Sequence, residues 1–157
     1  MTKIMVIDDS NTVLTAAEAA FRDSGYEVIT ATDGFSAMSV IADHHPELIF
    51  VDIVMPRLDG YQACALIKRN HRFRDIPIVM LSSKDGLFDR ARGRIVGAQA
   101  HINKPFSKTD LLDAARRYVG PAESRGDAAS SEFADDENDW PDADGFELEL
   151  SDSVQEG

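Results

Sequence analysis

The sequence predicts an α/β fold, a doubly wound parallel sheet of five strands alternating with five helices, within residues 1–120. Three observations carry that expectation. Five short apolar runs recur along this stretch, each about the length of a strand. Between them lie segments whose apolar residues repeat near every 3.6 positions. Four of the runs hand over to a carboxylate, a hydroxyl or an amine, as strands of an open sheet do at its ligand-binding rim.

Taken in order, KIMVI (3–7) reads as a buried parallel strand that stops at Asp8 and Asp9. A helix follows from Asn11 to Asp23, with Val13, Leu14, Ala17, Ala20 and Phe21 on its inner side. Ser10 or Asn11 can cap its start, and Ser24-Gly25 ends it. YEVIT (26–30) is the second strand, and Phe35, Met38, Val40 and Ile41 predict a helix over Asp33 to Asp43. His44-His45 falls in the connection that follows, where a solvated turn is expected, and no Cys/His cluster has zinc spacing. ELIFVD (47–52) is again apolar and again ends in an acid. Ala63, Leu66 and Ile67 place one face of a helix over Gly60 to Asn70. PIVML (77–81) is a strand ending at Ser82-Ser83, followed by a helix near Leu87–Val96 and the short strand AHIN (100–103). The last helix runs from Ser107 to about Val119, and Ser107 with Asp110 has the shape of a capping box.

Parallel strands separated by helices bring their carboxyl ends to one rim. Asp8, Asp9, Asp52, Ser82 and Lys104 are the residues that fall there. Three carboxylates at close quarters repel one another and call for a cation, and hard oxygen ligands select Mg2+, which keeps waters and accepts a phosphate oxygen. Asp52 can then be the nucleophile toward a phosphoryl donor. Lys104 and the metal would neutralise the transferring group while Ser82 donates a hydrogen bond to it. Pro105 restricts the Lys104 backbone to extended values. Each residue alone has a blander reading: an acid pair capping a helix, a serine in a turn, a lysine before a proline. Their arrival in order at successive strand ends outweighs those readings.

The pattern resembles the receiver domains of two-component response regulators, of the flavodoxin-like (CheY-like) chemotaxis type. The resemblance rests on IDDS (7–10), FVDIVMPRLDG (50–60), VMLSS (79–83) and NKPFS (103–107), and it covers residues 3–119. It implies phosphorylation of Asp52 by a chemotaxis-type histidine kinase. It implies Mg2+ bound directly by Asp9, Asp52 and the Val54 carbonyl, with Asp8 acting largely through water. Ser82 becomes the switch hydroxyl, Lys104 the phosphate-sensing amine, and Gly60 the residue permitting a tight turn into the third helix. An output protein is expected on the face formed by helix four, strand five and helix five. DGYQACALIK (59–68) and MLSSKDGLFDRARGRIVGA (80–98) are similar to receivers of the type IV pilus chemosensory pathway, which govern twitching motility. An unrelated single-domain chemotaxis regulator and a phosphate sink that drains a kinase are the alternatives. The implied activity is self-phosphotransfer and self-dephosphorylation only, not enzymatic turnover of a separate substrate. A haloacid-dehalogenase-type phosphatase would need a second acid two residues after the nucleophile, where Val54 stands.

Two positions depart from the family pattern. The switch aromatic three residues before the lysine is His101, which can turn inward near Ser82 and titrate at roughly 6.5, or lie exposed without a switching role. Val54 would stand as an apolar side chain over the site and give no help to an attacking water, so fast self-dephosphorylation is not expected.

Charge divides the chain. Of 28 acidic residues 13 fall in 121–157, against one of the 16 basic residues, Arg125, so that 1–120 holds 15 of each sign. The expected organisation is a receiver domain over 1–120 and an acidic, disordered tail over 121–157. Residues 84–120 hold eight basic against four acidic residues, and Gly86, Gly93 and Gly97 are expected to weaken helix four. Formal neutrality of the body, the acidic tail and the lack of a helix-turn-helix segment after residue 120 argue against nucleic-acid binding. The tail's FELEL alternation reads as a docking motif, or as a segment that folds back on the basic face and competes with the output partner. No apolar run has the length of a membrane span, no signal-peptide core precedes Asp8, and the single Cys64 suits a reducing, cytoplasmic compartment.

Overall fold

The computed structural model describes residues 1–82 and 89–120. Its elements alternate as expected: β1 (Thr2–Ile7), α1 (Asn11–Phe21), β2 (Tyr26–Ala31), α2 (Gly34–His44), β3 (Leu48–Asp52), α3 (Gly60–Arg69), β4 (Ile78–Ser82), α4 (Arg90–Val96), β5 (Ala100–Asn103) and α5 (Lys108–Val119). The five strands form one sheet in the order β2-β1-β3-β4-β5, and every pairing is parallel. The chain therefore leaves β1 toward one edge and returns at β3 toward the other. Strand order reverses between β1 and β3, the point outside whose strand ends open sheets of this kind bind their ligands.

Alternation along each strand divides the core between two faces. Ile4, Val6, Leu48, Phe50, Val79 and Leu81 pack with Leu14, Ala17 and Phe21 of α1 and with Leu111 and Ala115 of α5. Met5, Ile7, Ile49, Val51, Ile78 and Met80 pack on the opposite side with Ala37 and Ile41 of α2 and Ala63, Cys64 and Ile67 of α3. Strands covered on both sides have no polar face, which is why β1, β3 and β4 read as continuous apolar runs. The Tyr26 hydroxyl donates to the Gly120 carbonyl at 2.8 Å, fastening the end of α5 to the edge strand β2.

Local chemistry sets the helix boundaries. Ser10, Asp33, Asp59, Asp89 and Ser107 are the N-caps, each accepting a backbone N–H from the first turn. Both Asp59/Gln62 and Ser107/Asp110 form complete capping boxes. His45 closes α2 in the left-handed region and is exposed, as is His44, in keeping with a solvated turn.

Three sequence expectations need correction. Phe35 is 52% exposed and Leu66 37% exposed, because the buried stripes run through Gly34, Ala37 and Ile41 in α2 and through Gly60, Ala63, Cys64 and Ile67 in α3. Gly97 is no weak point inside α4: it caps the helix with φ 96° and accordingly ends it. Only Gly93 lies within α4, while Gly86, Leu87 and the start expected there fall outside the described residues. The acidic tail at 121–157 also lies outside them.

Candidate functional site

The strand ends deliver five side chains to one rim. Asp8 and Asp9 follow β1, Asp52 is the last residue of β3, Ser82 the last of β4, and Lys104 directly follows β5. Asp8, Asp9 and Asp52 each offer a carboxylate oxygen, and these oxygens lie within 4.8 Å of one another. Lys104 Nζ donates to Asp8 Oδ2 at 2.8 Å and to Asp52 Oδ1 at 2.9 Å. Asp8 is fully buried, Asp52 is 5% exposed, and Asp9 is open to solvent.

The supports of this cluster are local. The cap of α1 falls to Ser10, whose hydroxyl accepts from Val13 N at 3.3 Å, leaving the acid pair available. Asp8 Oδ1 in turn accepts from Ser10 N at 2.9 Å, so one oxygen of Asp8 is held by backbone and the other by Lys104. Asp52 rests on α3: a Cβ placed on Gly60 would overlap the Asp52 carbonyl oxygen and stand 2.8 Å from Ile53 Cα. Glycine is required there for close approach, not for a special turn conformation. Lys104 N donates to Ser82 O at 2.7 Å, extending the β4–β5 pairing to the base of the lysine. The Lys104–Pro105 peptide bond is cis.

The electrostatics follow from burial. The Asp52 carboxyl is pushed up to about 6, chiefly by burial; the Lys104 hydrogen bond opposes the shift, and the charges of Asp8 and Asp9 add to it. Burial pulls Lys104 down, but the hydrogen bonds it donates to Asp8 and Asp52, with their charges, outweigh it and raise the ammonium above its ordinary value. Three ionised carboxylates and one ammonium leave two negative charges, the deficit a divalent cation fills. The donors are all oxygen and Asp9 is exposed, so the residues fit Mg2+.

Other expected site residues are placed differently. Ser82, 3% exposed, directs its hydroxyl to Asn103 Oδ1 at 2.9 Å. His101 is 3% exposed, so in this structure it lies buried. It lies on β5 opposite Met80. Val54, two residues after Asp52, is 69% exposed. The basic stripe of α4 is engaged: Arg92 lies 4.3 Å from the Tyr61 ring centroid and 3.8 Å from Asp59. Two contributors went unread in the sequence. Tyr61, 4% exposed, accepts the Asp89 N–H on its hydroxyl at 2.7 Å, joining α3 to the start of α4. Asn103 was identifiable only by aligning the ends of β4 and β5, where it faces Ser82 in register.

A doubly wound sheet with this acid cluster and bridging lysine at its switch point is the architecture of a receiver domain. Residues 4–116 match the response regulator receiver domain family, and the chain belongs to it. Among characterised proteins it is similar to Protein PilG of Pseudomonas aeruginosa PAO1, 60% identical over 117 residues that cover 74% of this chain and 87% of PilG. It is also 35% identical over 135 residues to the alkaline phosphatase synthesis transcriptional regulatory protein PhoP of Bacillus subtilis, covering 86% of this chain but 55% of that longer protein. Among solved structures, the chemotaxis protein CheY4 of Vibrio cholerae superposes with a TM-score of 0.71 at 28% identity, over 76% of this chain and 99% of that one. The receiver domain of a sensor histidine kinase from P. aeruginosa PAO1, with magnesium coordinated in its active-site cleft, gives 0.69 at 28% identity over 76% and 98%. No helix among the described residues is long and apolar enough to cross a membrane.

Proposed function

We propose that Asp52 is the phosphoacceptor of this receiver, taking its phosphoryl group from the phosphohistidine of a chemotaxis-type histidine kinase. The observation that carries this reading is the Lys104 bridge between Asp8 and Asp52 inside a three-carboxylate cluster. Asp52, with a pKa of about 6, is mostly ionised near neutrality and available as a nucleophile. Its carboxylate oxygen attacks phosphorus, the P–N bond to the donor imidazole breaks, and the imidazole leaves with the electron pair. Asp9, Asp52 and the Val54 carbonyl would hold Mg2+ directly, and Asp8, already bonded to Ser10 N and Lys104, would act through water. Bound there, the ion supplies positive charge to the phosphoryl oxygens. Lys104 exchanges its hold on Asp52 for a phosphoryl oxygen, and Ser82 donates to another.

The same reading takes Ser82 and His101 as the switch and the α4–β5–α5 face as the output surface. Ile95, 72% exposed on α4, offers that face an apolar contact beside the arginines. Identity to PilG supports a place in pilus-based motility, and the buried, free thiol of Cys64 is at home in the cytoplasm. Residues 1–120 form the signalling unit, and 121–157 are its acidic appendage. The lack of an acid at position 54 supports a regulator that turns over only its own phosphoryl group.

Intact-mass measurement after incubation with acetyl phosphate tests the proposal. Wild type should gain one phosphoryl group with Mg2+ and none with excess chelator, and Asp52→Ala should gain none. Equal labelling of Asp52→Ala would overturn it.

A further inference from the structure

The Ser82 hydroxyl is already committed. It carries one proton and donates it to Asn103 Oδ1 at 2.9 Å, across the last pair of the β4–β5 ladder. Ser82 is almost entirely buried, so bulk water offers its hydroxyl little alternative, while Asn103 stands exposed at the end of β5. Successive residues of an extended segment project to opposite sides. The Lys104 amine accordingly reaches Asp8 and Asp52, while the neighbouring Asn103 amide reaches Ser82. Two consecutive residues thus hold the two groups that a phosphoryl group on Asp52 would recruit. The backbone bond from Lys104 N to Ser82 O at 2.7 Å keeps this arrangement in register.

We propose that Asn103 is a positioning residue that restrains the switch: it holds the Ser82 hydroxyl proton until a phosphoryl oxygen on Asp52 takes it. The inference rests on the reading of Asp52 as phosphoacceptor and adds a residue that touches neither phosphate nor metal. The physical reason is competition for one proton. Donation to a phosphoryl oxygen ends donation to the amide, so the bond to Asn103 stabilises only the resting form. A neutral amide loses that competition to an anionic oxygen, because hydrogen bonds to charged acceptors are the stronger kind. The bond therefore sets a threshold without blocking the switch. Release of the amide also frees the end of β5, immediately before the loop that leads into α5.

The test uses beryllofluoride, an acyl-phosphate mimic, titrated into the full chain at saturating Mg2+ and followed by NMR. Asn103→Ala should bind it about 2- to 10-fold more tightly than wild type, the range a single neutral hydrogen bond provides. Mg2+ affinity without beryllofluoride should be unchanged, which also reports that the variant is folded with its acid cluster intact. In a Ser82→Ala background the gain from Asn103→Ala should vanish, since the hydroxyl that links the two is gone. Unchanged or weaker binding by Asn103→Ala would overturn the inference, as would an equal gain in the Ser82→Ala background. Failure of wild type to bind beryllofluoride at all would instead sink the phosphoacceptor reading, and this inference with it.

Discussion

Gly60 and Asp52 are in contact through backbone. The first residue of α3 lies so close beneath the end of β3 that a Cβ on it would overlap the Asp52 carbonyl oxygen. Gly60 N also donates to Ile53 O at 2.8 Å, so the loop after β3 and the helix are pinned together. Gly60→Ala must displace β3 or α3, and neither end is free to yield. We expect a stability loss of about 2 kcal/mol, in the range of overpacked cores, with reduced phosphoryl uptake because Asp52 is moved. Chemical denaturation together with acetyl phosphate labelling measures both. A variant of wild-type stability and uptake would show that the close approach is unimportant.

Lys104 is the internal counter-ion of the acid cluster. Lys104→Met leaves Asp8 and Asp52 buried without it, which costs about 3 kcal/mol for a broken buried pair in the metal-free protein. Asp52 should then titrate still higher than about 6. Mg2+ no longer competes with the ammonium for oxygens, so it should raise the melting temperature of the variant more than that of wild type. Thermal unfolding with and without Mg2+ decides the matter; equal metal-induced shifts would refute it.

Acidification should weaken Mg2+ binding. The folded-state pKa of Asp52, about 6, lies above its ordinary value of 3.8. Between those values the folded metal-free protein holds a proton that the unfolded chain releases, so Asp52's contribution to stability falls as pH rises through that window. Metal binding must displace this proton, and Mg2+ affinity should drop about tenfold per pH unit below about 6. Calorimetric titration at several pH values checks the slope, and an affinity flat across that window would contradict it.

Tyr61 joins α3 to the start of α4. Its hydroxyl accepts Asp89 N–H at 2.7 Å at the cap of α4, and Arg92 of the first turn packs on its ring. Tyr61→Phe keeps the ring and loses the acceptor. We expect about 1 kcal/mol of destabilisation and faster hydrogen exchange confined to the first turn of α4. Exchange mass spectrometry reads this directly; unaltered protection there would remove Tyr61 as a tie.

Much of this was legible in the sequence, for identifiable reasons. Asp8, Asp52 and Ser82 could be placed because a buried parallel strand reads as an apolar run and its carboxyl end as the first polar residue. The cap at Ser10 was anticipated as one of two candidates, and the capping box at Ser107 by its spacing. Helix faces were harder. Phe35 and Leu66 are as apolar as their buried neighbours, but the inner stripe of α2 turns on Gly34 and Ala37, small residues that a hydrophobicity pattern underweights. Gly60 was recognised as needed but for the wrong reason, since a close approach between elements leaves no local trace. Asn103 and Tyr61 act through partners on other strands or helices, Ser82 and Asp89, and such pairings exist only once the register is known.

Hydride trapping tests the central claim most directly. Borohydride reduces an aspartyl phosphate to homoserine and leaves phosphoserine and phosphohistidine intact, so peptide mapping after treatment with acetyl phosphate and Mg2+ reports both the residue and the bond. Conversion at position 52 and nowhere else is the predicted result. A trapped acid at position 8 or 9, or a phosphoryl group that resists hydride, would contradict the account.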